Sequence, residues 1–133
     1  MERTPLPPAA EKIRNEIREM IPETATLTDQ PVKAQAELLH KDENGNKIYG
    51  GNLFTEKAAR LKQHMEIDQN WTERLVYWSK PTKLVNQRKQ GYLIPLSEDI
   101  ILQPGGPLQG GFGFRVTNEP ILSSGAAVFI MPR

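Results

Sequence analysis

The sequence predicts an α+β protein with an N-terminal extended arm and amphipathic helix, a hairpin plus second helix, and a C-terminal small β-barrel or sandwich of short antiparallel strands. Two observations support this prediction. Apolar residues follow a helical period near the N-terminus and an alternating period further on. Charge is also unevenly distributed, because only five charged residues follow position 90: Glu98, Asp99, Arg115, Glu119 and Arg133.

The length of 133 residues favours one compact domain. Residues 1–31 are expected to form the arm and its helix. Residues 32–133 are expected to form a single small α+β domain, whose β-rich part starts at about residue 84. The charge-poor residues 91–133 are too few to build an adequate core alone. They should therefore pack on the N-terminal part of the chain or on another chain.

The first predicted helix runs from about Pro8 to Ile21. Proline suits a helix start, and Pro22 ends the pattern. One apolar stripe follows from the spacing of Ile13, Ile17, Met20 and Ile21. A free helix of this length is marginal in water, so the stripe should dock on another element or another chain.

The next predicted elements are a hairpin and a second helix. Apolar and polar residues alternate over 32–38, which indicates a half-buried strand. Asn44-Gly45 then precedes Lys47–Tyr49, and Asn-Gly between apolar segments favours a tight hairpin turn. A helix is expected from Thr55 to about residue 68, and residues 71–78 fit either a helix or a strand.

Short apolar runs separated by Gly and Pro fill the tail. They cover residues 84–85, 92–96, 100–103, 112–117 and 126–131. Short, regularly spaced strands separated by Gly and Pro predict a small barrel or sandwich. Exposed apolar edge strands invite aggregation, so a neighbouring subunit is expected to cover this region.

Composition limits the class of protein. Seventeen basic and sixteen acidic residues give a net charge of +1, which argues against a strong overall field for nucleic acid. Cysteine is absent, so no disulfide or thiolate site is possible. The N-terminal segment has no apolar signal sequence and no run approaches a membrane span. Synthesis in the cytoplasm is therefore expected, without a membrane partner.

No arrangement of residues predicts catalysis, a metal site or a cofactor. His40 and His64 lie on different elements, and zinc needs about three or four ligands. Glu98 and Asp99 are adjacent, so on a strand they face opposite ways. The sequence predicts a protein that is not an enzyme, unless subunits share a site.

A short stretch resembles an RNA-binding motif. Residues 111–114, Gly-Phe-Gly-Phe, resemble the ribonucleoprotein motif of RNA-recognition-motif and cold-shock domains, and residues 48–53 resemble its companion. The resemblance implies aromatic side chains that stack on bases. This sequence departs from the motif at Gly110, Arg115 and Thr117, where that family has basic, aliphatic and aromatic residues.

A basic segment adds a possible nucleic-acid contact. No acid occurs from residue 74 to residue 97, and aromatic residues interleave with the basic ones. This composition is typical of a groove for single strands. A solvated loop that faces an acidic partner is the other interpretation. The candidate contacts are Lys80, Lys83, Arg88 and Lys89.

The favoured hypothesis is a structural subunit of a larger symmetric assembly, since arms and swapped elements commonly lock subunits together. The partner would be further copies of the chain, a shell or ring protein, or both. The specific expectation is a small phage or virus virion protein that decorates, cements or connects a capsid, and is located in the virion. The alternative is a small RNA- or single-strand-binding protein. Predicted partner-binding residues are Ile13, Ile17, Met20, Ile21, Phe112, Phe114, Val128 and Ile130.

Overall fold

The computed structural model describes residues 2–26 and 36–133, which form an α+β fold of two helices and two antiparallel sheets. In chain order the elements are β1 (Arg3–Pro5), α1 (Pro8–Arg18), β2 (Glu37–Lys41), β3 (Lys47–Gly50), α2 (Asn52–His64), β4 (Thr72–Trp78), β5 (Thr82–Lys83), β6 (Tyr92–Pro95), β7 (Ile101–Gln103), β8 (Gly106–Pro107), β9 (Phe112–Arg115), β10 (Ile121–Leu122) and β11 (Gly125–Met131). The predicted α+β class is confirmed.

The larger sheet contains seven strands in the order β1-β9-β6-β11-β4-β3-β2. The smaller sheet contains four strands in the order β5-β10-β7-β8. Strand β11 lies at the centre of the larger sheet, between β4 and β6. Its alternate residues therefore face two separate cores, one on each side of the sheet.

Both helices cover one face of the larger sheet. Proline at the start of α1 fits the first helical turn, where the missing N–H is no loss. The apolar stripe of α1 packs with α2 and with the residues of β11 that point to this side, Ala126, Val128 and Ile130. Two residues beyond α1, Met20 and Ile21, belong to the same core.

The smaller sheet covers much of the other face. Ala127 and Phe129 of β11 point to this side, where they join Leu102 and Leu122 of the smaller sheet in a second core. The charge-poor tail is thus packed on both sides by its own chain. Its buried residues therefore need no neighbouring subunit to cover them, whereas Ile101 and Ile121 stay exposed. Contact of this region with a neighbouring subunit stays a prediction.

The helix bounds differ from those predicted. Helix α1 ends at Arg18 rather than Ile21, although the apolar stripe continues into the following turn. Helix α2 starts at Asn52 and ends at His64, earlier at both ends than expected. The ambiguous segment 71–78 is strand β4, and its residues face both cores, which removes any clear alternation.

The hairpin prediction is confirmed, since β2 pairs with β3 across the turn at residues 42–46. Most of the strand expected over 32–38 lies outside the described residues. The prediction left a barrel or a sandwich open: the described strands form two open sheets with the second core between them, and no closed barrel is found among them. Strands as short as β5, β8 and β10 give too little pairing to close a barrel. The strand expected at 84–85 lies instead at Thr82–Lys83.

The N-terminal segment is extended, as expected, but it does not project as a free arm. Strand β1 pairs with β9 through Thr4 opposite Gly113. The Leu6 N–H also donates to the Gly111 carbonyl at 2.9 Å. The segment therefore forms one edge of the larger sheet.

Candidate functional site

The predicted partner-binding residues lie almost entirely inside the chain. Seven of the eight are buried: Ile13, Ile17, Met20, Ile21, Phe114, Val128 and Ile130. Phe112 is half-buried and packs against the second core. Packing within the chain accounts for the seven buried side chains, and only Phe112 keeps part of its surface exposed. A role of these residues in partner binding stays a prediction.

The Gly-Phe-Gly-Phe strand is explained by packing on both faces of β9. Phe114 is buried beneath the smaller sheet, and the Arg3 guanidinium lies 5.1 Å from the centre of the Phe112 ring. Gly113 points to the helical side, where an added Cβ would lie 2.8 Å from Cε of Met65. A buried Phe114 cannot stack on a base, so the RNA-motif resemblance brings no aromatic platform to this surface.

The described residues contain neither a cluster of metal ligands nor a membrane-spanning helix. Within residues 2–26 and 36–133, no three His, Asp or Glu side chains come together as a metal site would require. In the same part of the chain, neither helix has the length and apolar content needed to cross a bilayer.

The four predicted nucleic-acid contacts, Lys80, Lys83, Arg88 and Lys89, are all exposed, and two of them lie beside an acid. Lys89 Nζ lies 3.0 Å from a Glu119 carboxylate oxygen, and Lys83 Nζ lies 3.9 Å from the same oxygen. The Asn86 backbone N–H, with help from Lys89, lowers the pKa of Glu119 and keeps it ionised. Glu119 thus offsets part of the charge of both lysines.

Arg88 lies elsewhere because of the turn that carries it. The Leu84 N–H donates to the Pro120 carbonyl at 2.8 Å. The buried Asn86 amide donates to the carbonyls of Val116 and Asn118 at 3.3 and 3.0 Å. These bonds hold residues 84–86 against the loop after β9, and Arg88 lies near the start of β4, where Thr72 and Arg74 line the same pocket.

Arg88 lines a pocket of about 290 Å³ with two further arginines, Arg74 and Arg133. Strand pairing brings Arg74 and Arg133 close together, because Thr72 of β4 is in register with Met131 of β11. Thr72, Gln87 and Pro132 are among the other lining residues, and none of the lining residues is acidic. We call this the arginine pocket.

An apolar groove of about 240 Å³ adjoins the arginine pocket and shares Arg74 and Val85 with it. Its apolar lining includes Ile48, Val76 and Phe129, and charged residues line it as well, namely Asp42, Lys47 and Lys83. The groove lies on the sheet face opposite the helices, where the smaller sheet ends.

A different surface lies on the outer face of the smaller sheet. Ile101 and Ile121 are 45% and 47% exposed, although they belong to the neighbouring strands β7 and β10. Pairing of Ile121 with Gln103, and of Ile101 with Pro107, puts all four residues on one face. We call Ile101, Pro107 and Ile121 the outer apolar patch.

Strand β2 carries two more exposed aliphatic residues, Leu38 and Leu39. The strand has a register shift between Leu38 and His40, and it is flanked by Glu37 and Lys41. Bulges and charges are the usual protection of an edge strand against unwanted pairing. This edge is therefore a weaker candidate interface than the outer apolar patch.

Comparison with models of protein families, with curated proteins and with solved structures finds no match for this chain.

Proposed function

We propose that the protein is a non-enzymatic structural subunit of a larger symmetric assembly, and that the outer apolar patch contacts the next subunit. The observation that carries the proposal is the patch itself. Single exposed aliphatic residues are ordinary on a protein surface, but adjacent ones on a sheet face are typical of interaction sites.

The position of the patch strengthens the proposal. Ile101 and Ile121 lie on neighbouring strands, so their side chains are near enough to form one contact area. The inner residues of the same strands, Leu102 and Leu122, are buried. The outer face also carries Lys83 and Gln103, which pair with Ile121 on either side, so the exposed aliphatic residues form a small patch with polar neighbours.

A virion protein that decorates, cements or connects a capsid is one member of this class, and that more specific identity stays a prediction. The partner would be further copies of this chain, a shell or ring protein, or both. Nucleic-acid binding through the basic segment remains the alternative, and the arginine pocket is the feature that favours it.

The test is the mass of the native particle. The double variant Ile101→Lys, Ile121→Lys should shift the wild-type oligomer to a monomer in native mass spectrometry and light scattering, because lysine cannot be buried there without a partner. Leu53→Lys is the matched control, since Leu53 is an exposed leucine on α2. It should leave the oligomer unchanged.

Two results would contradict the proposal. One is a wild-type protein that stays monomeric at high concentration and in extracts of its own host. The other is a double variant with the wild-type mass. Both substituted residues are exposed, so circular dichroism should show an intact fold in either case.

A further inference from the structure

The three guanidinium groups of the arginine pocket have no side-chain partner among the described residues. None of Arg74, Arg88 and Arg133 makes an ion pair or side-chain hydrogen bond to any residue in 2–26 or 36–133. All three residues are exposed, so water hydrates their N–H groups, but three positive charges around one small pocket still repel one another. Such an arrangement is stabilised by a bound anion.

The nearest acids along the chain are directed elsewhere. Glu73 precedes Arg74 on β4, but successive side chains of a strand point to opposite faces. Its carboxylate accepts a hydrogen bond from the buried Lys62 at 2.9 Å on the helical side. Glu119 is engaged by Asn86 and Lys89. The positive charge of the pocket is therefore not offset by these groups.

The chemistry of the donors indicates the class of anion. Arginine presents a planar fork that binds the oxygens of phosphate or carboxylate in pairs, and several arginines favour an anion with more than one charge. The pocket is large enough for a phosphoryl or diphosphoryl group. The adjoining apolar groove would then receive the group to which the phosphate is attached.

We propose that Arg74, Arg88 and Arg133 form a binding site for the phosphate oxyanion of a phosphorylated ligand. Arg74 and Arg88 supply the main contacts, because β4 and the bonds of Asn86 fix the backbone that carries them. The site does not depend on the outer apolar patch, so the two proposals succeed or fail separately.

The test is a calorimetric titration of the full chain with inorganic pyrophosphate at low salt. We expect saturable binding at one site, with an affinity that falls as salt rises. Arg74→Gln and Arg88→Gln should each weaken binding about tenfold. Lys80→Gln is the matched control: Lys80 is exposed, belongs to the same basic segment and does not line the pocket. It should bind as the wild type does.

Competition with a short thymidine oligonucleotide then identifies the source of the phosphate. Displacement of pyrophosphate, with the same dependence on Arg74 and Arg88, would assign the site to nucleic-acid backbone. Binding of pyrophosphate without displacement would assign it to a small phosphorylated molecule. The proposal is overturned if the wild type shows no saturable binding, or if Lys80→Gln weakens binding as much as the arginine variants do.

Discussion

Replacing Lys62 by methionine should lower the free energy of unfolding by about 3 kcal/mol. Lys62 lies on α2 and is only 4% exposed. Its ammonium group donates to the carbonyls of Gln69 and Trp71 at 3.2 and 3.0 Å, and to a Glu73 carboxylate oxygen at 2.9 Å. All three donors are therefore used, and one side chain ties α2 to the start of β4.

The magnitude follows from what the substitution leaves behind. Methionine nearly matches the length of the lysine stem and fills the same space, so the change creates little cavity. It leaves the Glu73 carboxylate without its cation and two carbonyls without a donor. Losing one partner of a buried pair costs about 3–5 kcal/mol. We take the lower figure because the Glu73 side chain is 15% exposed and keeps some hydration.

The assay is chemical and thermal unfolding. An unfolding entropy of about 2.1 cal/mol/K per residue over the 133-residue chain converts 3 kcal/mol into a fall in Tm of about 10 °C. Lys89→Met is the control, because its pair with Glu119 is largely exposed and should contribute about 0–1 kcal/mol. A second change, Glu73→Gln, in the Lys62→Met background should recover part of the loss by removing the unpaired charge.

The reasoning would be refuted by a Lys62→Met variant within about 0.5 kcal/mol of the wild type, a difference usual for surface substitutions. An equal loss for Lys89→Met would also refute it, because burial would then not be the cause.

Two further predictions concern the helical core and the response to acid. Ile17→Ala should lower the free energy of unfolding by about 2–4 kcal/mol, because it leaves a cavity under α1. Denaturant titration should show this loss at dilutions where any assembly has dissociated. A loss seen only in the assembled state would instead place Ile17 at an interface. Burial acts to raise the pKa of Glu23, but hydrogen bonds from Lys47 and Tyr49 outweigh it and the pKa lies below its usual 4.5. Glu23 therefore stabilises the fold above pH 4.5, and this contribution is lost as pH falls through the folded-state pKa. The Tm difference between wild type and Glu23→Gln should shrink over that range, and a constant difference would contradict the assignment.

Local patterns predicted the local elements. Asn44-Gly45 identified the hairpin because this turn chemistry depends on adjacent residues alone. The helical stripe of α1 was equally visible. Strand β4 stayed ambiguous because Leu75 faces the helical core while Val76 and Trp78 face the other core. A strand buried on both faces lacks the alternation that would identify it.

Long-range placement was beyond the patterns. The sequence indicated that the apolar residues of the tail had to be buried. Only the strand order shows that the helices and the smaller sheet of the same chain bury most of them. The arginine pocket was missed for the same reason. Arg74 and Arg88 lie in the basic segment that the sequence indicated, but Arg133 is far from it, and the register of Thr72 with Met131 brings β4 and the segment after β11 together. Only knowledge of the pairing of β4 with β11 could have indicated that Arg133 lies near Arg74.

The central position of β11 has a consequence for how the protein is made. Every other described element precedes β11 along the chain, yet β11 joins the β1-β9-β6 ladder to the β4-β3-β2 ladder. While residues 125–131 are still inside the ribosome, the strands of the larger sheet can form only two separate ladders with open inner edges. Such edges recruit chaperones or neighbouring strands. The native sheet can therefore form only late, in a step that closes long loops and should limit the folding rate.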